Sequence, residues 1–179
     1  MSIILANDEI VLKVFNNNIV LVNSEENEKI LFAKGIGFAK KNGQVIKKGT
    51  EVDKIFTIQE EDNIKNFNSI LGRVDTNFFA MCEEAIYEVS KLTNKELNEN
   101  IHISLIDHLF FAVKRIMNNE VIENPFLVEI ETLYRTEFNL AKMIANRVSE
   151  FEKINIPDDE VGFIALHVHS ALNDGNLSN

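Results

Sequence analysis

The sequence predicts an α+β protein of two domains, in which a small β domain precedes an all-α domain. Three observations support this division. Alternating and β-branched segments fill the first 57 residues, whereas apolar residues recur at helical spacing from about Ser69 onward. Five of the seven glycines lie within residues 1–73. A chain of 179 residues can form two hydrophobic cores, because a domain can be as short as about 50 residues.

The β domain is predicted to occupy residues 1–57. Its strands are separated by turn residues, and we place them at residues 10–15, 19–23, 29–33, 35–38, 44–46 and 54–57. The strongest turn signal is Asn42-Gly43, for which we expect a type I′ hairpin turn with a positive φ at both residues. Residues 58–68 are polar and acidic, and we expect them to form a linker.

The helical domain is predicted to occupy residues 69–179. Its four helices are expected at about residues 69–92, 104–117, 124–151 and 157–172. The third begins at Asn124-Pro125, because proline suits a first helical turn. The fourth begins at Pro157, which is followed by three acidic residues that suit the positive end of a helix.

The composition is that of an ordinary globular protein, with 45% hydrophobic and 26% charged residues. No apolar run approaches the roughly 18 residues that a membrane span needs, so we expect no membrane insertion. The single cysteine, Cys82, excludes an intramolecular disulfide and fits a reducing compartment. Because its neighbours are apolar, we expect Cys82 to be buried. The expected location of the protein is the cytoplasm.

The net charge of −10 is distributed unevenly along the chain. Residues 1–57 contain eight lysines and seven acidic residues, a net charge of +1, and the remainder has a net charge of −11. A basic patch is formed by Lys34, Lys40, Lys41, Lys47 and Lys48, with no acidic residue between them. Such a patch attracts phosphate groups, so the β domain is the expected site of nucleic-acid binding.

Two motifs in the β domain combine residue types that suit unpaired bases. Residues 13–20 (KVFNNNIV) are followed by residues 33–41 (AKGIGFAKK). Side-chain amides can pair with base edges, glycine allows close approach of the backbone, and phenylalanine offers a stacking face. Residue chemistry alone favours a simpler interpretation, in which the three asparagines form a hairpin loop and Lys40-Lys41 a solvated turn.

The order of the two motifs resembles the co-antiterminator RNA-binding domain of the BglG/SacY transcription antiterminators, over residues 11–57. The resemblance implies a small antiparallel β-barrel-like sheet that binds a leader mRNA hairpin as a homodimer and so prevents the terminator hairpin from forming. It implies RNA contacts from Lys13, Asn17, Asn18, Lys34, Gly35, Phe38 and Lys40. The chain departs from the family pattern at Ala33, where Gly is usual, at Lys34, where Arg is frequent, and at Ala39, where Gln or Gly is usual.

All four histidines lie in the helical domain: His102, His108, His167 and His169. A neutral imidazole is a good nucleophile toward phosphorus, provided that a neighbour holds the tautomer that leaves the attacking nitrogen free. Asp107 is the candidate for this supporting role, although adjacent helical residues point about 100° apart. Taken singly, His108 and His167 are more typical of interior histidines on apolar helices.

The combination of Ile106-Asp107-His108 with residues 159–167 (DEVGFIALH) resembles the phosphotransferase-system (PTS) regulation domain, over about residues 68–175. The resemblance implies an antiparallel helical bundle in which His108 and His167 accept phosphate from a sugar-specific PTS permease component. His102 and His169 fall outside the acceptor positions, and we expect them to be exposed or supporting. Family members have two such domains, so we expect this chain to contain the first and lack the second.

The sequence thus predicts an RNA-binding regulator that is not an enzyme and needs no cofactor or metal. Two alternatives stay open. The first is a metal-dependent hydrolase with Asp107, His108, His167 and His169 as ligands, although helical metal pairs prefer i,i+4 spacing to the i,i+2 spacing of the last two. The second is a helical sensor module whose β domain is a protein-interaction unit.

Overall fold

The computed structural model describes residues 2–25 and 27–173, and the chain divides into two compact units, Met1–Ala80 and Met81–Asn179. Strands fill the first part of the chain and helices the remainder, which confirms the predicted α+β class. The strands form open sheets rather than a closed barrel.

The described residues of the first unit form seven strands. They are β1 Ile3–Ile4, β2 Glu9–Asn16, β3 Ile19–Ser24, β4 Asn27–Phe32, β5 Val45–Ile46, β6 Glu51–Val52 and β7 Lys54–Ile58. An antiparallel five-stranded sheet has the order β5-β2-β3-β4-β7, and β1 pairs with β6 in a two-stranded sheet. The central strand, β3, is buried at Ile19, Val20, Leu21 and Val22, which requires apolar cover on both faces of the sheet.

This cover comes in part from a cluster of apolar side chains. On one face, Val20 and Val22 belong to a core cluster that also contains Leu5, Val11, Leu31, Ile36, Ile46 and Val52. Aromatic rings pack elsewhere in the unit, where Phe15 stacks on Phe79 with 5.0 Å between ring centroids and Phe67 meets Phe79 edge-on at 5.4 Å. Phe67 lies in helix α1, Glu61–Leu71, which follows β7 after two residues.

Two local predictions for the β domain are wrong. Residues 35–38 form consecutive turns instead of a strand, because Gly35 has a φ of 76° and the amide of Phe38 donates back to the carbonyl of Gly35. Asn42-Gly43 does form a turn, but only Gly43 has a positive φ, of 89°, so the turn is not type I′.

Helix α2 spans Thr76–Thr93, so the helix predicted over residues 69–92 is in fact two helices. The break follows from local chemistry, because α1 ends at Gly72 and the carboxylate of Asp75 accepts the amides of Asn77 and Phe78 at the start of α2. Residues 58–68, predicted as a linker, include most of α1. Their role as a connection between domains, and the domain limits themselves, stay predictions.

The remaining helices are α3 Ile101–Met117, α4 Leu127–Leu133, α5 Arg135–Glu152 and α6 Asp158–Leu172. Helix α6 packs against α3, α4 and α5, and the core of this unit includes Ile106, Ile144, Val148 and Ile164. The prediction of one helix over residues 124–151 is wrong, because Tyr134 adopts φ −119° and ψ 50° between α4 and α5.

Cys82 is buried, as predicted. Among residues 2–25 and 27–173, none of the helices combines the length and the hydrophobicity that a membrane span requires.

Candidate functional site

The two motifs of the β domain form turns that interlock through hydrogen bonds. The side-chain oxygen of Asn18 accepts the amide of Gly35 at 2.9 Å, and the carbonyl of Asn17 accepts the amide of Gly37 at 2.8 Å. A Cβ atom on Gly37 would lie 2.1 Å from the carbonyl oxygen of Asn16, so only glycine fits at this position. The asparagine turn and the glycine turn are therefore held together as one structural piece, called the double turn below (residues 16–18 and 33–38).

Most of the residues that are predicted to contact RNA, in and beside the double turn, are open to solvent. Asn17, Asn18, Lys34, Gly35, Phe38 and Lys40 are exposed, and Lys13 is half-buried. Phe38 is 68% exposed, which is unusual for a phenylalanine and excludes a role in the core of this unit. Asn18 uses its side-chain oxygen within the protein, so its amide NH₂ group is the part of that side chain left for a ligand.

Lysine side chains border the double turn. Lys40 and Lys47 line a cleft of about 260 Å³, together with Gly35 and Thr50. Lys34, Lys41 and Lys48 are also exposed, so the predicted basic patch is on the surface. Exposed aromatic, amide and cationic groups on neighbouring turns are the combination that single-stranded or looped RNA requires.

In the helical unit, His108 on α3 is held by a carboxylate on α6. Its Nε2 donates to Oε2 of Glu160 at 3.0 Å, and Arg115 donates to the other oxygen of the same carboxylate at 2.8 Å. Burial alone would raise the pKa of Glu160, but the hydrogen bonds from His108 and Arg115 outweigh it and hold that pKa below its usual value. Glu160 is therefore an anion that binds one ring nitrogen of His108.

The second predicted acceptor, His167, is on α6 and lies beside His108 of α3. The centroids of the two rings are 5.2 Å apart. Phe163, one turn earlier on α6, also lies beside the His108 ring, with 6.0 Å between the ring centroids. Burial, with a smaller effect from the charge of His108, lowers the pKa of His167 to about 4. His167 is neutral near pH 7, the state in which an imidazole can attack phosphorus.

The start of α6 is fixed by Asn124, which lies just before α4. The backbone N–H of Asn124 donates to the Asp159 carboxylate at 3.2 Å. The side-chain NH₂ group of Asn124 donates to the backbone carbonyl of Asp159 at 3.3 Å. A Cβ atom on Gly162 would lie 2.6 Å from Nδ2 of Asn124, so the glycine makes room for this side chain. These contacts set the position from which Glu160 reaches His108.

The other two histidines, predicted to be exposed or supporting, are both buried, which excludes the first of these alternatives. His102 donates from Nδ1 to Glu83 at 2.8 Å, and His169 donates from Nδ1 to Glu137 at 2.8 Å. The ring of Tyr134 stacks on His169 at 4.0 Å. Histidines in protein interiors are often held by a carboxylate in this way, and a supporting role fits both residues.

Asp107 is half-buried next to His108 in α3, but the carboxylate that binds the His108 ring comes from Glu160. The supporting role of Asp107 stays a prediction. From the sequence, Glu160 was predicted only as an acidic residue at the start of a helix and as part of the motif of residues 159–167, and Arg115 was not singled out. A signal for Arg115 was available, because it lies seven residues after His108, and two helical turns place such residues on one face.

The ligands of the alternative metal site are not gathered in one place. His108 and His167 are adjacent, but His169 is paired with Glu137. Within residues 2–25 and 27–173, no group of three or more His, Cys, Asp or Glu side chains has an arrangement that could hold a metal ion. The geometry of the described residues therefore gives the hydrolase alternative no support.

Comparison with known proteins gives a match to each of the two parts of the chain. A family model described as the CAT RNA binding domain matches residues 10–65, and one described as the PRD domain matches residues 83–171. The crystal structure of GlcT CAT-PRDI has a TM-score of 0.76 and 40% sequence identity, over 93% of this chain and 99% of that one. The chain belongs to the BglG/SacY family of antiterminators.

Two curated relatives of greater length are similar to this chain. The GlcT protein of Staphylococcus saprophyticus is 34% identical over 164 residues, which are 92% of this chain and 58% of that protein. The GlcT protein of Staphylococcus aureus strain bovine RF122 is also 34% identical, over 166 residues, 92% of this chain and 59% of that protein. The chain thus spans less than two thirds of the length of these relatives and combines one CAT domain with one PRD domain.

Proposed function

We propose that this chain is a transcription antiterminator that binds a hairpin in a leader mRNA and stabilises it against the overlapping terminator. The observation that carries the proposal is the double turn, which exposes Phe38 and Asn17 beside lysines within a region that matches the CAT RNA binding domain. Phe38 offers a face on which an unpaired base can stack, and the asparagine amides can pair with base edges. The lysines supply attraction to phosphate.

A leader hairpin with internal loops, taken from upstream of the regulated gene, tests the proposal directly. Phe38→Ala should weaken binding by about 5- to 150-fold, because stacking on one base contributes about 1–3 kcal/mol. Phe126→Ala is the matched control, since Phe126 is 64% exposed but lies in the helical unit. Melting of both variants should match the parent. Equal RNA affinity of Phe38→Ala and the parent would contradict the proposed surface.

The salt dependence of the same titration provides a second measurement. The affinity should fall steeply as salt rises, because lysines that neutralise phosphates release counterions. Asn17→Ala should weaken binding without unfolding the β unit, since its exposed side chain makes no hydrogen bond within residues 2–25 and 27–173. Binding that does not respond to salt would argue for the alternative in which the β domain binds a protein.

We further propose that a sugar-specific PTS permease component phosphorylates His108 and His167, and that this controls a cytoplasmic homodimer. The proposal is supported by the neutral His167, by the close approach of the two imidazoles and by the match to the PRD domain. A phosphoryl group adds about 1.5–2 negative charges, by analogy with phosphorylated hydroxyl groups, to a part of the chain that already has a net charge of −11. In this proposal the chain binds RNA and accepts phosphate, and it catalyses no reaction of its own.

Phosphate incorporation from the phosphorylated permease component tests the control. The parent should accept phosphate, His108→Ala and His167→Ala should each accept less, and the double variant should accept none. Incorporation that is unchanged in the double variant would show that the acceptors lie elsewhere.

A further inference from the structure

We infer that His108 takes up its phosphoryl group on Nδ1, because Glu160 occupies the other ring nitrogen. The inference rests on the proposed phosphorylation of His108 and adds which of its two nitrogens reacts. It makes Glu160 a positioning residue, which selects the atom that is phosphorylated without contacting the phosphoryl group itself.

The hydrogen bond between His108 and Glu160 fixes the tautomer of the imidazole. Nε2 lies 3.0 Å from Oε2 of Glu160. An ionised carboxylate can only accept hydrogen bonds, so Nε2 must carry a proton. In a neutral imidazole with a proton on Nε2, the lone pair lies on Nδ1, which is then the nucleophilic nitrogen.

Glu160 is held firmly enough to impose this choice. Its side chain is only 3% exposed, and its second oxygen accepts a hydrogen bond from Arg115 at 2.8 Å. Arg115 and His108 are on α3, whereas Glu160 is on α6, so two packed helices fix the three side chains. The pKa of Glu160 lies below its usual value, which keeps the carboxylate ionised near pH 7.

Phosphorylation at Nε2 would be opposed by the same arrangement. It would break the bond to Glu160 and place a phosphoryl dianion against a buried carboxylate, where like charges repel strongly. The His108 side chain is 20% exposed, and within residues 2–25 and 27–173 its Nδ1 has no hydrogen-bond partner. Nδ1 is therefore the nitrogen that can reach a donor without disturbing the Glu160 pair.

The transfer step is balanced without another reactant. The Nδ1 lone pair forms a bond to phosphorus, and the bond between phosphorus and the donor atom breaks with its electron pair going to the donor. The Nε2 proton stays in the hydrogen bond to Glu160, whose negative charge stabilises the positive charge that the ring gains. Glu160 thus favours both the reacting tautomer and the product.

The tautomer can be measured in the full chain before any phosphorylation. Long-range ¹H–¹⁵N correlation spectra of protein with ¹⁵N-labelled histidine rings should show Nδ1 of His108 unprotonated and Nε2 protonated near pH 7, with the assignment made from His108→Ala. Glu160→Gln should give mixed tautomers, because an amide can donate as well as accept. Glu137→Gln is the matched control, since it changes the carboxylate that binds His169 and should leave the His108 signals unchanged. A protonated Nδ1 with a bare Nε2 in the parent would overturn the inference.

Phosphorylation with potassium phosphoramidate, a small donor whose P–N bond breaks, then identifies the product. The Nδ1 isomer should exceed the Nε2 isomer at His108 by at least about tenfold in the parent, a factor that one hydrogen bond to a charged group can produce. The ratio should fall severalfold in Glu160→Gln and stay unchanged in Glu137→Gln. Phosphate on Nε2 of the parent would overturn the inference and leave the proposed function intact. Failure of the permease component to phosphorylate His108 would instead contradict the proposed function, while the tautomer spectra would still decide the state of the ring.

Discussion

Gly37 shows how a single residue joins the two motifs of the β domain. The carbonyl of Asn16 lies where the Cβ atom of any other residue would be, and the Gly37 amide is bonded to the carbonyl of Asn17. Backbone cannot move aside as a flexible side chain can, so a larger residue must push the asparagine turn out of place. The glycine is therefore required for the double turn to form.

We predict that Gly37→Ala destabilises the β unit by about 1–3 kcal/mol, the usual effect of overpacking, and displaces the asparagine turn. Urea unfolding followed by circular dichroism measures the loss, and RNA titration should show weaker binding as well. Gly72→Ala is the control, because its nearest neighbour would be an ordinary 3.6 Å away and its φ of −77° suits alanine. That variant should be neutral or slightly stabilised. Equal stability of the two variants would refute the close packing at Gly37.

His167 makes the stability of the helical unit depend on pH. Burial, followed by the charge of His108, lowers its pKa to about 4, whereas an unfolded histidine has a pKa of about 6.5. Between these values the unfolded chain binds a proton that the folded chain does not, so the free energy of unfolding decreases as the pH falls through this range.

We predict a loss on the order of 2–3 kcal/mol from this residue as the pH falls from 7 to 4. Urea unfolding at pH 7 and at pH 5 measures most of the effect. His167→Gln should lose less stability over the same interval, because glutamine does not titrate. Parallel pH profiles for the parent and the variant would show that His167 is not the group responsible.

At the scale of elements, the beginning of α6 organises the histidine site. Asp159 binds Asn124, Glu160 binds His108 and Arg115, and Gly162 accommodates the Asn124 side chain. These three residues lie within about one turn of α6, and together they contact both α3 and the segment before α4. This explains why a short motif of acidic, small and aromatic residues precedes the histidine that we propose as a phosphoacceptor.

We predict that Gly162→Ala costs about 1–3 kcal/mol, because the added methyl group would meet Nδ2 of Asn124 at 2.6 Å. Asn124 is buried and bonded to Asp159, so it cannot swing away freely. In an Asn124→Ala background the same substitution should cost less, since the obstructing group is absent. Chemical denaturation of the four proteins in this double-mutant cycle measures the coupling. Additive costs would mean that Asn124 is not what Gly162 makes room for.

For the whole molecule, net charge distinguishes the part that we propose binds RNA from the part that we propose controls it. The first 57 residues have a net charge of +1 and the remainder −11, so phosphate on the histidines would add charge only to the acidic part. Two like charges about 4 Å apart repel by about 1 kcal/mol in bulk water and by about 4 kcal/mol near a protein surface. The proposed homodimer should therefore weaken when His108 and His167 become negative in both copies.

We predict that the dimer of the double variant His108→Asp with His167→Asp dissociates more readily, with its dissociation constant raised by about tenfold. The variant should also bind the leader RNA less tightly. Sedimentation equilibrium measures self-association. The matched control replaces both histidines by asparagine, which has nearly the same shape without the charge, and should behave like the parent. An unchanged dimer with unchanged RNA affinity in the aspartate variant would refute control by repulsion, although not the identity of the acceptors.

The sequence by itself determined the α+β class, the buried Cys82 and the motifs that mark the two sites, because periodicity and turn chemistry are local properties. It failed where a local pattern competes with packing. Residues 35–38 alternate like a strand, but the asparagine turn binds their backbone and holds them as turns. Residues 124–151 look like one helix, but the chain breaks at Tyr134, whose ring stacks on His169.

Only the tertiary structure decided how the histidine site is built. The partner of His108 lies 52 residues away on another helix, and no local pattern specifies which carboxylate will meet the ring. Adjacency made Asp107 the natural candidate, yet the packing of α3 on α6 brings Glu160 to Nε2. Side-chain direction on a helix depends on its rotation against its neighbours, which is fixed only when the core between them is packed.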